Sequence, residues 1–463
     1  MISKTAYLFL LTSLFFASCS DDDISNNNTS DNDHEESINF DNLEGNLDQL
    51  TNLGGSNEDD LLSMTKTSDG NFVAIGFTKS NDGDITDKTT TDADYWVVKF
   101  NTNLELIWSK TYGGSDDDRG QNIIETADGK LAAIGYSRSD DADVSGNEGF
   151  HDFWFIELSA NGSILSEKNI GFSGNDRGFG ITTTSDGGYF LSGFLDVSAS
   201  DGQGNDDFLG RNSKRYPDLA KHGVGEFWGI KLDANAETEW RRYFGGTNND
   251  RSYAVIQTDD DGFLMIGHSE SDDYDITDPN GSYDFWAVKI DATGALEWQK
   301  NLGGSSVEFA FDITSTETGY LIAGDTRSSN GDISNPLGNA DAWLVHLDHQ
   351  GNLDWQKNYG GSDFDSANAI SKIDNNLFAV AGNSQSNDIN LNENAGQNDV
   401  WIFVIDQNGS LKNSISWGGN QLDFANDIIG TNQAKLIGIG NSASQDSGFD
   451  NNGDKDAIIF KIQ

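Results

Sequence analysis

The feature that most limits how this chain can fold is a pattern of about 58 residues that occurs seven times. Each copy starts with a glycine, which most copies double as in Gly303 and Gly304, and most copies end near a tryptophan, such as Trp355. The copies open at Gly54, Gly113, Gly171, Gly245, Gly303, Gly360 and Gly418. A period of this length is typical of propellers and repeat arrays.

Each copy contains four short apolar runs separated by turn residues. In the fourth copy these runs are 254–256, 263–266, 285–288 and 295–298, with turns at Asp261 and at Gly294. Runs of this length, joined by such turns, predict antiparallel strands, and no helical period crosses a copy. The sequence therefore predicts an all-β, seven-bladed β-propeller with four antiparallel strands per blade.

The first strand of each copy carries a small residue near its start. These residues are Gly120, Gly178, Ser252, Ala310, Ala367 and Ala425. Side-chain volume must shrink where blades converge, so we expect this strand to be innermost. A glycine also recurs at the end of the second strand, for example Gly76, and indicates a close backbone approach or a bulge.

The last copy ends after its third strand, at residues 457–462. Gly45 precedes Gly54 by the same spacing that separates Gly351 from Gly360. We therefore expect residues around 40–53 to complete the last blade and to leave no open sheet edge.

Residues 1–18 have the charged start and apolar centre of a signal peptide. Small residues before Cys19, the single cysteine, resemble a bacterial lipobox, and the acidic run after it resembles the export signal of Bacteroidota surface lipoproteins. This resemblance implies acylation of Cys19 and an outer-membrane lipid anchor facing the cell exterior. An ordinary secretory signal is the alternative. Residues 19–37 are too polar to bury a core and predict a flexible acidic tether before the domain at 38–463.

The chain has 76 acidic and 28 basic side chains, a formal net charge of -48. This charge argues against nucleic acid as a partner, because affinity for phosphates requires positive charge. It also argues against an electrostatic hold on anionic lipid, so the anchor is the one membrane contact we expect. Cations, neutral glycans and basic proteins remain as partners, and solubility at a salty cell surface is a further explanation of the charge.

The repeats resemble bacterial secreted propeller repeats of the SBBP and delta-60 type, which are common in Bacteroidota surface proteins. The shared features are the double glycine, a following acid such as Glu308, and the segments containing Trp343 and Trp355. The resemblance covers 45–463 and implies the propeller fold. It does not imply one activity, because such repeats occur in proteins of unlike function.

Two acidic sets recur at positions that a propeller would place on one face. The first set is Asp59, Asp118, Asp176, Asp250, Glu308, Asp365 and Asp423; the second is Asp94, Asp152, Glu226, Asp284, Asp341, Asp399 and Asp456. Together with the loops before the third strands, they give candidate Ca²⁺ ligands. The candidates are Asp82, Asp84, Asp94, Asp141, Asp143, Asp152, Asp332 and Asp341. The alternative, which we favour, is that these side chains cap turn N–H groups.

Tryptophans recur in the third and fourth strands, for example Trp286 and Trp298. Sugar stacking is one interpretation. Blade packing is the one we favour, because a residue present in nearly every repeat serves the repeat.

The third copy departs from the pattern through an insertion at 201–225, a basic and aromatic stretch in an acidic chain. Its candidate ligand-binding residues are Arg211, Arg215, Tyr216 and His222. A second interpretation fits the sequence equally well: the fold tolerates this insertion, which packs over the rim without binding a ligand. No catalytic constellation stands out, so the sequence favours a monomeric binding module for glycan or protein. A glycan-cleaving hydrolase or lyase and a structural adhesion element are the alternatives.

Overall fold

The computed structural model describes residues 45–206, 222–374, 376–391, 393–431 and 435–463, which form seven four-stranded antiparallel sheets. The first blade contains β2 (Asp59–Lys66), β3 (Phe72–Thr78), β4 (Asp94–Phe100) and β5 (Leu106–Tyr112). The second contains β6 (Asp118–Glu125), β7 (Leu131–Ser137), β8 (Asp152–Leu158) and β9 (Ile164–Ile170). The third contains β10 (Arg177–Thr183), β11 (Tyr189–Leu195), β12 (Glu226–Leu232) and β13 (Thr238–Phe244).

Each of the remaining four blades also has four strands. The fourth contains β14 (Asp250–Gln257), β15 (Phe263–Ser269), β16 (Asp284–Ile290) and β17 (Leu296–Leu302). The fifth contains β18 (Glu308–Ser315), β19 (Gly319–Thr326), β20 (Asp341–Asp348) and β21 (Leu353–Tyr359). The sixth contains β22 (Asp365–Lys372), β23 (Leu377–Ser384), β24 (Asp399–Asp406) and β25 (Leu411–Trp417). The seventh contains β26 (Asp423–Gly430), β27 (Leu436–Ser442), β28 (Asp456–Ile462) and β1 (Leu47–Leu53). The predicted seven-bladed propeller is confirmed.

The first strand of each blade is innermost. Strands β2, β6, β10, β14, β18, β22 and β26 each contact the next one around a closed ring. Small residues are required there: a Cβ on Gly120 would lie 2.5 Å from Cγ1 of Ile75 in the preceding blade. A register shift follows between Gly120 and Asn122, so each inner strand carries a bulge.

The closure of the ring is confirmed. Strand β1 pairs antiparallel with β28, with Leu53 opposite Ala457, and the backbone groups of Asn46 and Gln463 bond to each other. On the inner side, the Met64 N–H donates to Asp427 Oδ2 at 2.8 Å across the same seam. The part of the predicted segment before Gly45 lies outside the described residues.

The core lies mainly between blades. The six third-strand tryptophans are at most 1 % exposed. Aromatic contacts join neighbouring blades, such as Tyr95 to Trp154 and Phe285 to Trp343, each with ring centroids 4.5 Å apart. Buried rings of this kind stabilise the blades and offer no surface for a sugar. In the described ranges, no helix is long and apolar enough to cross a membrane.

Candidate binding site on the inner strands

The loops preceding the inner strands and the loops joining second to third strands share one edge of every sheet, which we call the loop face. Parallel bridges connect these loops between blades, for example His151 to Asn175. Both repeated acidic sets lie on this face, because their members begin the first and third strands or, for Asp176, directly precede the strand.

The first acidic set holds the loops in place. Asp365 is fully buried, and its Oδ2 accepts hydrogen bonds from the Gly361 N–H at 2.7 Å and from the Ser386 hydroxyl at 2.9 Å. The Ser386 hydroxyl in turn accepts the Asp363 N–H at 2.9 Å. Other copies repeat this network, so the first acids have a structural role.

The candidate Ca²⁺ ligands from the second-to-third loops accept hydrogen bonds from backbone N–H groups. Asp82 and Asp141 accept the N–H groups of Ser56 and Ser115, each at 2.8 Å. The others accept the N–H of an opening glycine: Asp84 from Gly54 at 3.0 Å, Asp143 from Gly113 at 3.4 Å and Asp332 from Gly303 at 3.0 Å. These five side chains therefore cap loop backbone.

The three candidates that begin third strands have different partners. Asp94 Oδ2 lies 2.6 Å from the Lys88 ammonium, while Asp152 and Asp341 accept the N–H groups of Glu148 and Leu337, each at 2.7 Å. All eight candidates are spread over the first, second and fifth blades. Among the described residues, no three His, Cys, Asp or Glu side chains converge to hold one metal ion.

The second acid of one blade faces the first acid of the next blade across the opening glycine. A Cβ on Gly113 would lie 2.7 Å from both Asp94 Oδ1 and Asp118 Oδ2. We call these the junction pairs: Asp94–Asp118, Asp152–Asp176, Glu226–Asp250, Asp284–Glu308, Asp341–Asp365, Asp399–Asp423 and Asp456–Asp59. Burial, together with the facing carboxylates of Glu308 and Asp59, raises the pKa of Asp284 and of Asp456 to about 6.

Most of the candidate ligand residues in the insertion, namely Arg211, Arg215 and Tyr216, lie outside the described residues. His222 is described and is 5 % exposed. Its ring stacks on Tyr274 at 4.6 Å, and its Nδ1 lies 3.3 Å from Glu226 Oε2. The structure thus places His222 in a buried contact.

Side chains that do not repeat collect on the inner strands. The residue after the first acid is arginine in three consecutive blades, and each guanidinium lies over an aromatic ring of the preceding blade. The pairs are Arg119 over Phe77 at 4.3 Å, Arg177 over Tyr136 at 4.5 Å and Arg251 over Phe194 at 4.9 Å. The equivalent residues elsewhere are Asp60, Phe309, Ser366 and Phe424.

Three aromatic rings continue this cluster at the bulge position of adjacent inner strands. Phe179 lies 4.9 Å from Tyr253, and Tyr253 lies 6.0 Å from Phe311, measured between ring centroids. All three rings keep part of their surface exposed. With the three arginines, they define what we call the axial cluster: Arg119, Arg177, Phe179, Arg251, Tyr253 and Phe311.

His268 lies beside the axial cluster, with its ring 5.3 Å from that of Tyr253. It is 5 % exposed, and its Nδ1 has no hydrogen-bond partner among the described residues. Burial, with Arg251 nearby, lowers the pKa of His268 to about 3, so the imidazole is neutral at physiological pH.

Where the first and last blades meet, polar groups of the inner ring hydrogen-bond to one another. Asp60 accepts hydrogen bonds from the Asn441 amide at 2.7 Å and the Asn426 amide at 3.1 Å, and its Oδ2 lies 2.7 Å from the Lys455 ammonium. By contrast, no carboxylate pairs with Arg177 or Arg251 in the described part of the chain; Arg177 donates to Asn175 Oδ1 at 3.0 Å. The inner ring is therefore chemically asymmetric.

The axial cluster was not among the sequence-predicted site residues. The predicted site residues either recur in most copies or lie in the insertion at 201–225, whereas the axial positions lie inside the repeat and differ between copies. Aligning the seven copies and looking for variation after the first acid would have revealed the arginines.

A cavity of about 250 Å³ lies on the face opposite the loop face, where the first and last blades meet. Its lining includes Lys66, Lys435 and Lys461, together with Phe72 and Ile437. Lys435 and Lys461 both lie near Asp48 of β1, at 3.3 and 3.4 Å, so their charges belong to the closure of the ring.

No family model and no curated protein sequence matches this chain. Among solved structures, it is similar to the WD40 domain of Neurospora crassa Pan2, with 9% identity, a TM-score of 0.46, and coverage of 89% of this chain and 95% of that one. It is also similar to Sqt1 from Chaetomium thermophilum, with 12% identity, a TM-score of 0.40, and coverage of 85% and 83%. A mutant of Synechocystis apocarotenoid oxygenase gives 12% identity, a TM-score of 0.41, and coverage of 78% and 72%.

Proposed function

We propose that this propeller is a binding module whose ligand is a protein segment docking on the axial cluster. The observation that carries the proposal is the asymmetry of the inner ring: seven nearly equivalent blades place three arginines and three part-exposed aromatic rings on one arc. Repetition explains side chains that build the blades, but it does not explain a cluster that breaks the repeat.

The chemistry of the axial cluster favours a ligand with an acidic group beside an apolar one. Arg177 and Arg251 are held over aromatic rings and retain N–H donors suited to a carboxylate. Arginine and tyrosine are also the side chains most often dominant in protein interfaces. The buried third-strand tryptophans give a glycan no comparable stacking platform on the blades.

The rim of the loop face supports the same ligand class. Val307, Phe364 and Leu422 precede the first acids of the fifth, sixth and seventh blades; the first two are part-exposed, and Leu422 is 38% exposed. Apolar surface on the rim of a face that also carries arginines suits a protein segment of mixed character.

The test compares envelope proteins captured by the intact chain, by an Arg177→Ala, Arg251→Ala double variant, and by a Lys412→Ala control. Lys412 lies on an outer strand and pairs with Asp406, so its loss leaves the axial cluster intact. We expect the control to retain a specific protein partner and the double variant to lose it by tenfold or more. Equal capture by all three chains, or binding to a glycan array that is lost in the double variant, would contradict the proposal.

We also propose that the module is displayed on the outer surface of a bacterium by acylation at Cys19, on the strength of the lipobox-like residues before it. Metabolic labelling with a fatty acid should mark the wild-type chain and not a Cys19→Ala variant. Labelling of both chains, or of neither, would argue against the anchor while leaving the binding site untouched.

A further inference from the structure

The hairpins that join first to second strands lie at the sheet edge opposite the loop face, and a threonine begins the turn in most of them. In four blades the threonine hydroxyl donates a hydrogen bond to an aspartate two residues further along the turn. These pairs are Thr67–Asp69, Thr126–Asp128, Thr184–Asp186 and Thr258–Asp260. In these blades the hydroxyl belongs to the hydrogen bonding of the turn itself.

The hairpin of the fifth blade departs from this pattern. It is one residue shorter than that of the fourth blade, and Thr318 stands where the fourth blade has Asp260. The adjacent third strand carries His346 at the position of Lys289 in the fourth blade. The Oγ1 of Thr316 lies 2.9 Å from His346 Nε2, and the Oγ1 of Thr318 lies 3.3 Å from the same nitrogen. The threonine hydroxyl therefore faces an imidazole in this blade.

The surroundings of His346 favour a neutral imidazole in a fixed orientation. Its side chain is 3 % exposed, and its ring stacks on Trp355 with centroids 5.6 Å apart. Its Nδ1 lies 3.3 Å from Asp354 Oδ2. Burial lowers the pKa of His346, and the charge of His349 adds to this effect, while Asp354 and Asp348 oppose it. With its Nδ1 proton directed at a carboxylate, a neutral imidazole has Nε2 available to accept a proton from a hydroxyl.

We propose that Thr316 is a nucleophile that takes an acyl group from an ester, with His346 as its general base and Asp354 as the residue that positions the imidazole. A hydroxyl within about 2.6–3.2 Å of a base, with a third group orienting that base, is the arrangement that activates serine and threonine nucleophiles. Thr316 is part-exposed, so a small ester can reach its hydroxyl.

The acyl transfer balances within these residues and the ester. The Thr316 oxygen bonds to the carbonyl carbon of the ester, and its proton passes to His346 Nε2. The bond from that carbon to the alcohol oxygen then breaks, and the alcohol leaves with the proton from His346. The product is an ester of Thr316, from which water releases the acid with His346 again as the base.

The test uses the full chain with p-nitrophenyl acetate as the acyl donor, followed by peptide mapping in a mass spectrometer. We expect an acetyl ester on Thr316 that forms at least about tenfold faster than one on Thr258, the equivalent threonine beside a lysine. Hydroxylamine should remove this acetyl group, because it cleaves esters and leaves acetylated lysines intact. The two threonines are compared within one molecule, so the result does not depend on the folding of a variant.

Two variants test the roles of the base and of the acid. His346→Lys gives the fifth blade the residue that the fourth blade has at Lys289, and a protonated lysine cannot accept the proton. It should slow acetylation of Thr316 at least about tenfold. Asp354→Asn should move the pH at which acetylation is half-maximal to a lower value, because the carboxylate raises the pKa of His346.

The inference is overturned if Thr316 and Thr258 react at equal rates, or if the acetyl ester forms on Thr318 instead. It is also overturned if His346→Lys keeps the wild-type rate, or if Asp354→Asn leaves the pH profile unchanged. None of these results bears on the axial cluster, because the hairpin of Thr316 lies at the opposite edge of the sheets from the loop face.

Discussion

Individual residues of the repeat are fixed by contacts with backbone. Gly324 shows why: a Cβ there would overlap the carbonyl oxygen of Phe309 on the paired inner strand and would lie 2.6 Å from Cζ of Phe285. The bulge in the inner strand brings the two backbones together at this point. The recurring glycine is thus required by the space available and not by the conformation of its own backbone.

Gly324→Ala should destabilise the propeller by about 1–3 kcal/mol, because the added methyl group overpacks a buried strand pair. Gly225→Ala is the matched control, since the nearest atom to its Cβ would lie 3.6 Å away, at ordinary contact distance. Urea unfolding of both variants measures the difference. Equal urea midpoints for the two variants would show that the close approach of the two backbones at Gly324 leaves room for a side chain.

Asp427 predicts a dependence of stability on pH. Its Oδ2 and Oδ1 accept the N–H groups of Met64 and Ile428, and burial, with Asp312 nearby, raises its pKa to about 7. An aspartate in the unfolded chain has a pKa of about 3.9. The folded state therefore holds the proton more tightly, and this contribution to stability is full below about pH 4 and is lost as pH rises to about 7.

Asp427→Asn cannot lose this proton. Its free energy of unfolding relative to wild type should therefore increase between about pH 4 and pH 7. Urea unfolding at both pH values gives the comparison, with exposed Asp261→Asn as the control. A constant difference across the range would mean that Asp427 titrates normally.

At the scale of strands, the ring depends on one strand contributed by the other end of the chain. Strand β1 covers the outer edge of β28, and Leu53 is 5 % exposed in the interface between the last and first blades. Removing it would leave a row of unpaired backbone groups and an exposed apolar edge.

A chain that starts at Gly54 should be much less stable than one that starts at Gly45, by several kcal/mol, or should aggregate. A synthetic peptide of residues 45–53 should restore the stability by pairing again with β28. Thermal unfolding of the short chain, with and without the peptide, measures both effects. An unchanged Tm after truncation would contradict the role of β1.

The strands also explain what could be predicted from the sequence. Glycine pairs, hairpin turns and a fixed period specify four strands and seven blades, and the spacing from Gly45 to Gly54 specifies the closure. The bulge after residues such as Gly120 shifts the alternation of side chains by one position. The regular alternation of side chains along a strand therefore does not predict that Tyr253 and Phe179 face the axis.

The candidate site required the three-dimensional arrangement for another reason. Arg177 and Arg251 come from inner strands 74 residues apart in the sequence, and each lies over a ring of a different blade. The junction pairs likewise join acids of neighbouring blades, such as Asp284 and Glu308. The sequence shows both acids but does not show that they face each other.

For the whole molecule, the main physical constraint is a net charge of -48. Exposed like charges repel over roughly 30 Å at 0.01 M salt but only over about 10 Å at 0.1 M. Folding brings these charges closer together than they are in the unfolded chain, so the repulsion opposes the compact state.

Monovalent salt should therefore stabilise this propeller. In chelator at pH 7.5, we expect Tm to rise steadily between about 0.01 M and 0.3 M NaCl, and KCl to act equally, because screening depends on ionic strength and not on ion identity. A Tm that falls with NaCl would mean that favourable ion pairs such as Lys455 with Asp60 outweigh the overall repulsion.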